Sequence, residues 1–133
     1  MSARQEMIEQ LLHAQSRGDW DTMFTIMSDD AIFELAFHKT RFEGREEIVK
    51  RMAPSIARMA GLTFSEIEVR DLADPDWAIA TFKGTAEVTT TGRPYHQTYI
   101  ALYRFTDGKV SLFREYFDTI ALAVATGMLD PPK

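Results

Sequence analysis

The chain has 133 residues, of which 45% are hydrophobic and 26% charged, the proportions of a soluble globular protein long enough for one domain with its own core. A formal net charge of −5 and the absence of any Lys/Arg-rich run leave no electrostatic footprint for nucleic acid. The lack of cysteine excludes disulfides, thiolate nucleophiles and thiolate metal ligands.

The first 20 residues, MSARQEMIEQLLHAQSRGDW, mix charged and apolar groups with no continuous apolar core, which fits neither a signal peptide nor a membrane span. The expectation is a cytoplasmic protein with no membrane partner, one domain over 1–133 whose residues 129–133 fray. From Glu6, the apolar positions Met7, Ile8, Leu11, Leu12 and Ala14 recur at helical spacing, and Gly18 is placed to end that helix. Asp19 can cap a second helix, WDTMFTIM, that SDD breaks, and AIFELAFH then reads as a strand. A third helix is predicted from about Arg45 to Ala60, closed by Gly61 and kinked by Pro54. The period then changes to strands at roughly 62–73, 77–90, 94–106 and 109–118, separated by the turn signals DPD, TTGRP and TDG. Four successive strands after early helices predict an α+β domain, with helices covering one face of a curved antiparallel sheet.

The last strand carries the most informative residue. Side chains alternate along a strand, so Phe113, Glu115 and Phe117 in DGKVSLFREYFD share one face, and Leu112, Arg114 and Tyr116 share the other. A carboxyl between two phenylalanines on a core-facing stripe must find a partner, reach solvent or shift its pKa.

Three stretches, SRGDWDTMFTIMSDDAIFELAF, FEGREEIVKRM and GRPYHQTYIALYRFTDGKVSLFREYFD, resemble in order and spacing the SnoaL-like branch of the nuclear transport factor 2-like superfamily. That superfamily also holds ketosteroid isomerase and limonene epoxide hydrolase. The resemblance covers nearly the whole chain. It implies a cone of curved sheet and three helices, an apolar pocket inside, and a homodimer through the outer sheet face. An ungapped match puts Leu11, Leu35 and Ala101 where ketosteroid isomerases carry their tyrosine and two aspartates, so the isomerase machinery is absent. The hydrolase comparison puts its water-activating aspartate on Glu115 and its pocket tryptophan on Phe113. Its arginine and second aspartate fall near Phe82 and Gly84, and its asparagine near Ala36 or Phe37.

By the family's parity, Gln97, Tyr99 and Tyr103 face the pocket from the strand paired with that of Glu115, and Phe33, Leu35 and Phe37 face it from the first strand. Phe82, Leu11, Met52 and Ile56 complete the wall, and Tyr99 or Tyr103 could donate to a substrate oxygen or to Glu115. Glu34 and His38 then face outward, and His96 has surface parity. A bulge would instead turn Glu34, His38 or His96 inward, the first two to form an acid/base cluster with Glu115. No His-x-His or His-Glu-x-x-His spacing supports a metal, and no Gly-rich phosphate loop implies a nucleotide cofactor. The expected function is cofactor-independent general acid/base chemistry by Glu115 on an apolar carbonyl, enol or epoxide compound: isomerisation, cyclisation, dehydration or hydrolysis. The alternative is a non-catalytic hydrophobic-ligand carrier or a dimeric adaptor.

Overall fold

The structure is a computed structural model that describes residues 2–132. Ser2 opens helix α1 (Ala3–Arg17) with a reciprocal capping box: its hydroxyl accepts from the Gln5 amide, and the Gln5 side chain accepts from the Ser2 N–H. The helix therefore starts four residues before the apolar stripe does. Gly18 ends it at φ 71°, and Asp19 caps α2 (Trp20–Ile26) through the Thr22 N–H.

Strand β1 (Met27–Leu35) follows at once, with Ser28, Asp29 and Asp30 inside it rather than breaking the chain. It stops at Leu35, and Ala36–His38 form a single 3₁₀ turn where the sequence suggested more strand. A short strand β2 (Thr40–Glu43) pairs back on β1, and α3 (Arg45–Ala57) crosses over. Helix α3 runs only three residues past Pro54, since Met59 and Ala60 already belong to β3 (Met59–Asp71). Gly61, predicted to close α3, instead takes φ 66° at a register shift in β3. Strands β4 (Trp77–Val88), β5 (Pro94–Thr106) and β6 (Lys109–Phe117) lie close to their predicted spans.

The six strands form one curved, unclosed sheet in the order β2-β1-β6-β5-β4-β3. The β1–β6 pair is parallel, a departure from the all-antiparallel expectation. A parallel pair needs a long connection, and here everything from β2 to β5 supplies it. Two shifts in β3 bend the outer strand, the second beside Glu66 at φ 51°. The concave face receives α1, whose Ile8, Leu11 and Leu12 are fully buried in one core with Met23, Ile48, Tyr103 and Phe113. No helix among the described residues is long and apolar enough to cross a membrane.

A last helix, α4 (Thr119–Ala125), was not predicted. Asp118 caps it through the Ile120 and Ala121 N–H groups, and Arg93 donates to the carbonyls of Val124 and Leu129 at 2.7 and 3.0 Å. The tail expected to fray is thus anchored at Leu129, while Lys133 lies outside the described residues.

Gly84 on β4 marks a tight point in the concave face. A Cβ there would sit 2.9 Å from the Tyr99 ring and 3.3 Å from Phe64. Tyr99 is stacked on Phe82 at 4.7 Å and packed edge-on by Phe64, so it has nowhere to move. Gly84→Ala should cost about 1–3 kcal/mol by overpacking, read as a lowered midpoint in chemical denaturation with an unchanged slope.

Candidate active site

Glu115 sits where three strands meet: its Cα pairs with Ala101 on β5 and with Leu35 on β1. Both neighbours are apolar, and Ala101 brings no side chain beyond its Cβ. The parity read from the sequence places Glu115 on the concave face, and it is only 5% exposed. Neither ordinary remedy for a buried charge is present. None of the ion pairs among the described residues includes it, and solvent barely reaches it. Its Oε2 accepts one hydrogen bond, from Gln15 Nε2 at 3.1 Å. Burial pushes the carboxyl up to about 7, and the Gln15 amide pulls in the opposite direction by favouring the charged form.

Gln15 is the residue that sequence reasoning missed. It lies on α1 one turn beyond Leu11, is 4% exposed, and reaches across 100 residues of chain to the carboxylate. The signal was available: a polar side chain continuing an apolar stripe at i+4 is as anomalous as a carboxylate between phenylalanines. Gln15→Ala should strand the buried carboxylate. We expect the Glu115 pKa to rise further and stability at neutral pH to fall by about 1–3 kcal/mol, checked by NMR titration of the carboxyl and by denaturation at pH 7.

The aromatic side chains predicted to line a pocket are brought together, and they pack on one another. Phe113 lies 4.6 Å from Phe33 and is parallel to the Tyr103 ring at 6.1 Å; Phe82 stacks on Tyr99, which also meets Phe117 at 5.7 Å. Leu11 and Met52 are buried, and Leu35 is partly buried beside Glu115. The Tyr103 hydroxyl and Gln15 Oε1 are buried without a hydrogen-bond partner among the described residues. Burial first, and then the charge of Glu115, hold the Tyr103 hydroxyl well above its ordinary pKa, so it is a neutral donor. Tyr99 is likewise shifted upward, chiefly by burial, and shares a 2.7 Å hydroxyl contact with Tyr95, a second buried residue not singled out from the sequence.

Other predicted residues are placed elsewhere or are already occupied. Phe37 is on the 3₁₀ turn, 66% exposed and edge-on to Tyr116 at 5.7 Å, so the strand parity that pointed it inward fails where the strand ends. Glu34 accepts from Arg114 at 3.2 Å on the convex face, and His38 is exposed on the same turn, 5.7 Å from the Phe117 ring. The Glu34, His38 and Glu115 cluster therefore does not form. His96 is exposed, as its parity indicated. Gln97 faces inward, but its amide is engaged with backbone: it donates to the Asp118 carbonyl at 2.8 Å and accepts from the Asp118 and Thr98 N–H groups. That side chain carries the chain from β6 into α4. Among the described residues, no three His, Asp or Glu side chains group as metal ligands.

Two of the surface clefts border residues predicted to line the site. One, of about 450 Å³, lies between the end of α1, α3 and the start of β3, with Trp20, Ile56 and Leu62 in its wall. The other, of about 440 Å³, includes Lys83, His96, Gln97 and Asp118. Of the predicted lining, Ile56 borders the first and Gln97 the second; Glu115 borders neither.

A family model for the SnoaL-like domain matches residues 8–113. The chain belongs to the SnoaL-like family. It is 35% identical over 89 residues to an uncharacterized PhzA/B-like protein of Pseudomonas aeruginosa, a match covering 67% of this chain and 62% of that relative. The alignment thus spans less than two thirds of the relative's length. Among solved structures, a Bacillus subtilis protein suggested to be an isomerase superimposes with a TM-score of 0.82 at 24% identity, over 92% of this chain and 91% of that one. A Catenulispora acidiphila protein with a ketosteroid isomerase-like fold, solved with trimethylamine, gives 0.80 at 13% identity, over 95% and 98%. The SnoaL-like fold accounts for the helix-covered concave face and for the unclosed sheet. At these identities the likeness to solved structures extends to the fold alone.

Proposed function

We propose that this SnoaL-like protein is a cofactor-independent enzyme in which Glu115 moves a proton to or from carbon on an apolar small molecule bearing a carbonyl, enol or epoxide oxygen. One observation carries the reading: a carboxyl in an apolar interior, with a single amide partner and no cation, pushed up to about 7. At neutral pH such a group exists in both protonation states, so it can take a proton and return it. Burial favours the neutral acid and the Gln15 N–H the carboxylate, and in the proposed order the carboxylate acts first, as a base. For a ketone, the carboxylate takes the α-proton, the C–H electron pair forms the carbon–carbon double bond of the enolate as the carbonyl π pair moves to oxygen, and a neutral donor such as Tyr103 meets the charge that develops there. Return of the proton at another carbon is isomerisation; attack of that carbon on a second carbonyl, with protonation of its oxygen, is cyclisation. A homodimer through the convex face, where Ile100 is 44% exposed, accords with the same reading.

The test is exchange of α-protons in deuterium oxide, followed by NMR on a panel of apolar ketones headed by β-tetralone. Exchange catalysed by the protein and lost in Glu115→Gln supports the role. Ketone binding without exchange by the wild type would favour the carrier reading, and equal exchange by the variant would remove Glu115 from the chemistry.

A further inference from the structure

The cleft at the end of α1 has a composition unlike that of the interior. Its wall is Trp20, Ile56, Met59 and Leu62 with small alanines and glycines, and its one charged lining residue is Arg17. The other polar groups at this end of α1 are already used. The Ser16 hydroxyl donates to the His13 carbonyl, and the Ala14 and Gln15 carbonyls accept from the Asp19 and Gly18 N–H groups. Asp19, the acid close enough to feel the charge of Arg17, is held by two bonds from Thr22 at 3.2 and 2.6 Å. Arg17 itself makes no ion pair among the described residues. Gly18 takes φ 71° to turn the chain, and a Cβ there would meet the Trp20 indole at an ordinary contact distance of 3.7 Å.

A cleft of this size with an aromatic wall and one polar group at its rim is the arrangement that orients a small ligand. The geometry points to this cleft as a binding site for apolar carboxylates, with the hydrocarbon body against Trp20, Ile56 and Leu62 and the carboxylate on the Arg17 guanidinium. A guanidinium can hold a carboxylate through two parallel N–H bonds, which fixes the acid end outward and the tail inward. The site is separate from Glu115 and does not depend on the chemistry assigned there.

The probes are octanoate and its neutral counterpart octan-1-ol, titrated into the ¹⁵N-labelled protein. The Trp20 indole N–H serves as reporter and is told apart from that of Trp77 by Trp77→Phe. Octanoate should shift the Trp20 signal and the Leu62 amide, and Arg17→Gln should weaken octanoate by about two- to fivefold, the range of an exposed ion pair, while leaving octanol unchanged. Filling the cleft with Ile56→Trp should abolish both titrations. Arg17 is exposed, and Ile56 is half-buried and packs against the core, so circular dichroism and the amide spectrum of each variant check that the fold is kept. Octanoate affinity unchanged in Arg17→Gln would overturn the proposal, as would equal affinity for acid and alcohol, shifts centred away from Trp20, or no shift with either probe.

Discussion

Glu115→Gln should slow proton exchange at carbon by about 10²–10⁴-fold, the usual contribution of a positioned acid or base. The substitution is nearly isosteric, and an amide can still meet Gln15, so the fold is retained and the loss falls on chemistry. The pH profile provides the sharper check. A base pushed up to about 7 is protonated below that value, so wild-type rates should climb with pH and level off above about 7. A profile that levels off two units lower would describe an ordinary solvated carboxylate, contrary to the burial seen here. Initial rates from pH 5 to 9 on a ketone that the wild type exchanges, with circular dichroism of the variant, separate lost chemistry from lost structure.

The same carboxyl should make the protein less stable as pH rises, against the usual trend for acidic groups. In the unfolded chain Glu115 titrates near 4.5, and in the folded one near 7. Below about 4.5 both states hold the proton and the group contributes no penalty. Between these values the folded state binds the extra proton, so stability falls with increasing pH, and the loss is complete above about 7. At about 1.4 kcal/mol per pH unit, the interval corresponds to about 3 kcal/mol. Glu115→Gln removes that dependence. The stability difference between variant and wild type should therefore grow in the variant's favour by about 3 kcal/mol from pH 4 to pH 8, measured by urea denaturation at each pH. A difference that stays flat would mean that the folded carboxyl titrates as in the unfolded chain.

The concave face was largely legible in the sequence because strand parity is a strict rule. Gln97, Tyr99 and Tyr103 fall on the buried side of β5, as alternation requires, while β6 is buried on both faces from Val110 to Phe113 and alternates only from there to Glu115. The rule failed at Phe37 because it assumes that the strand continues, and nothing in AIFELAFH announces the 3₁₀ turn after Leu35. Strand β2 escaped notice because four residues, TRFE, are too few to establish a period. Helix α4 is short and apolar after Thr119, and beyond its local Asp118 cap it is held by tertiary bonds that its own sequence does not encode: Arg93 on the Val124 carbonyl and Gln97 on the Asp118 backbone. The partner of Glu115 was the harder omission. A glutamine on an apolar stripe is visible, but the pairing of α1 with β6 depends on the whole topology.

That topology has a consequence for how the chain is made. The sheet order β2-β1-β6-β5-β4-β3 places the last strand to leave the ribosome between two groups of strands already synthesised. Until β6 arrives, β1 and β5 are both open edges, with their ladder groups unpaired and Phe33, Tyr99 and Tyr103 lacking the neighbours that bury them. Edges of this kind template pairing with other chains, and contacts this distant in sequence form late and slowly. The insertion of β6 closes both edges and delivers Glu115 to Gln15 in the same step, so the nascent chain is most exposed to aggregation in the interval before its proposed active site exists.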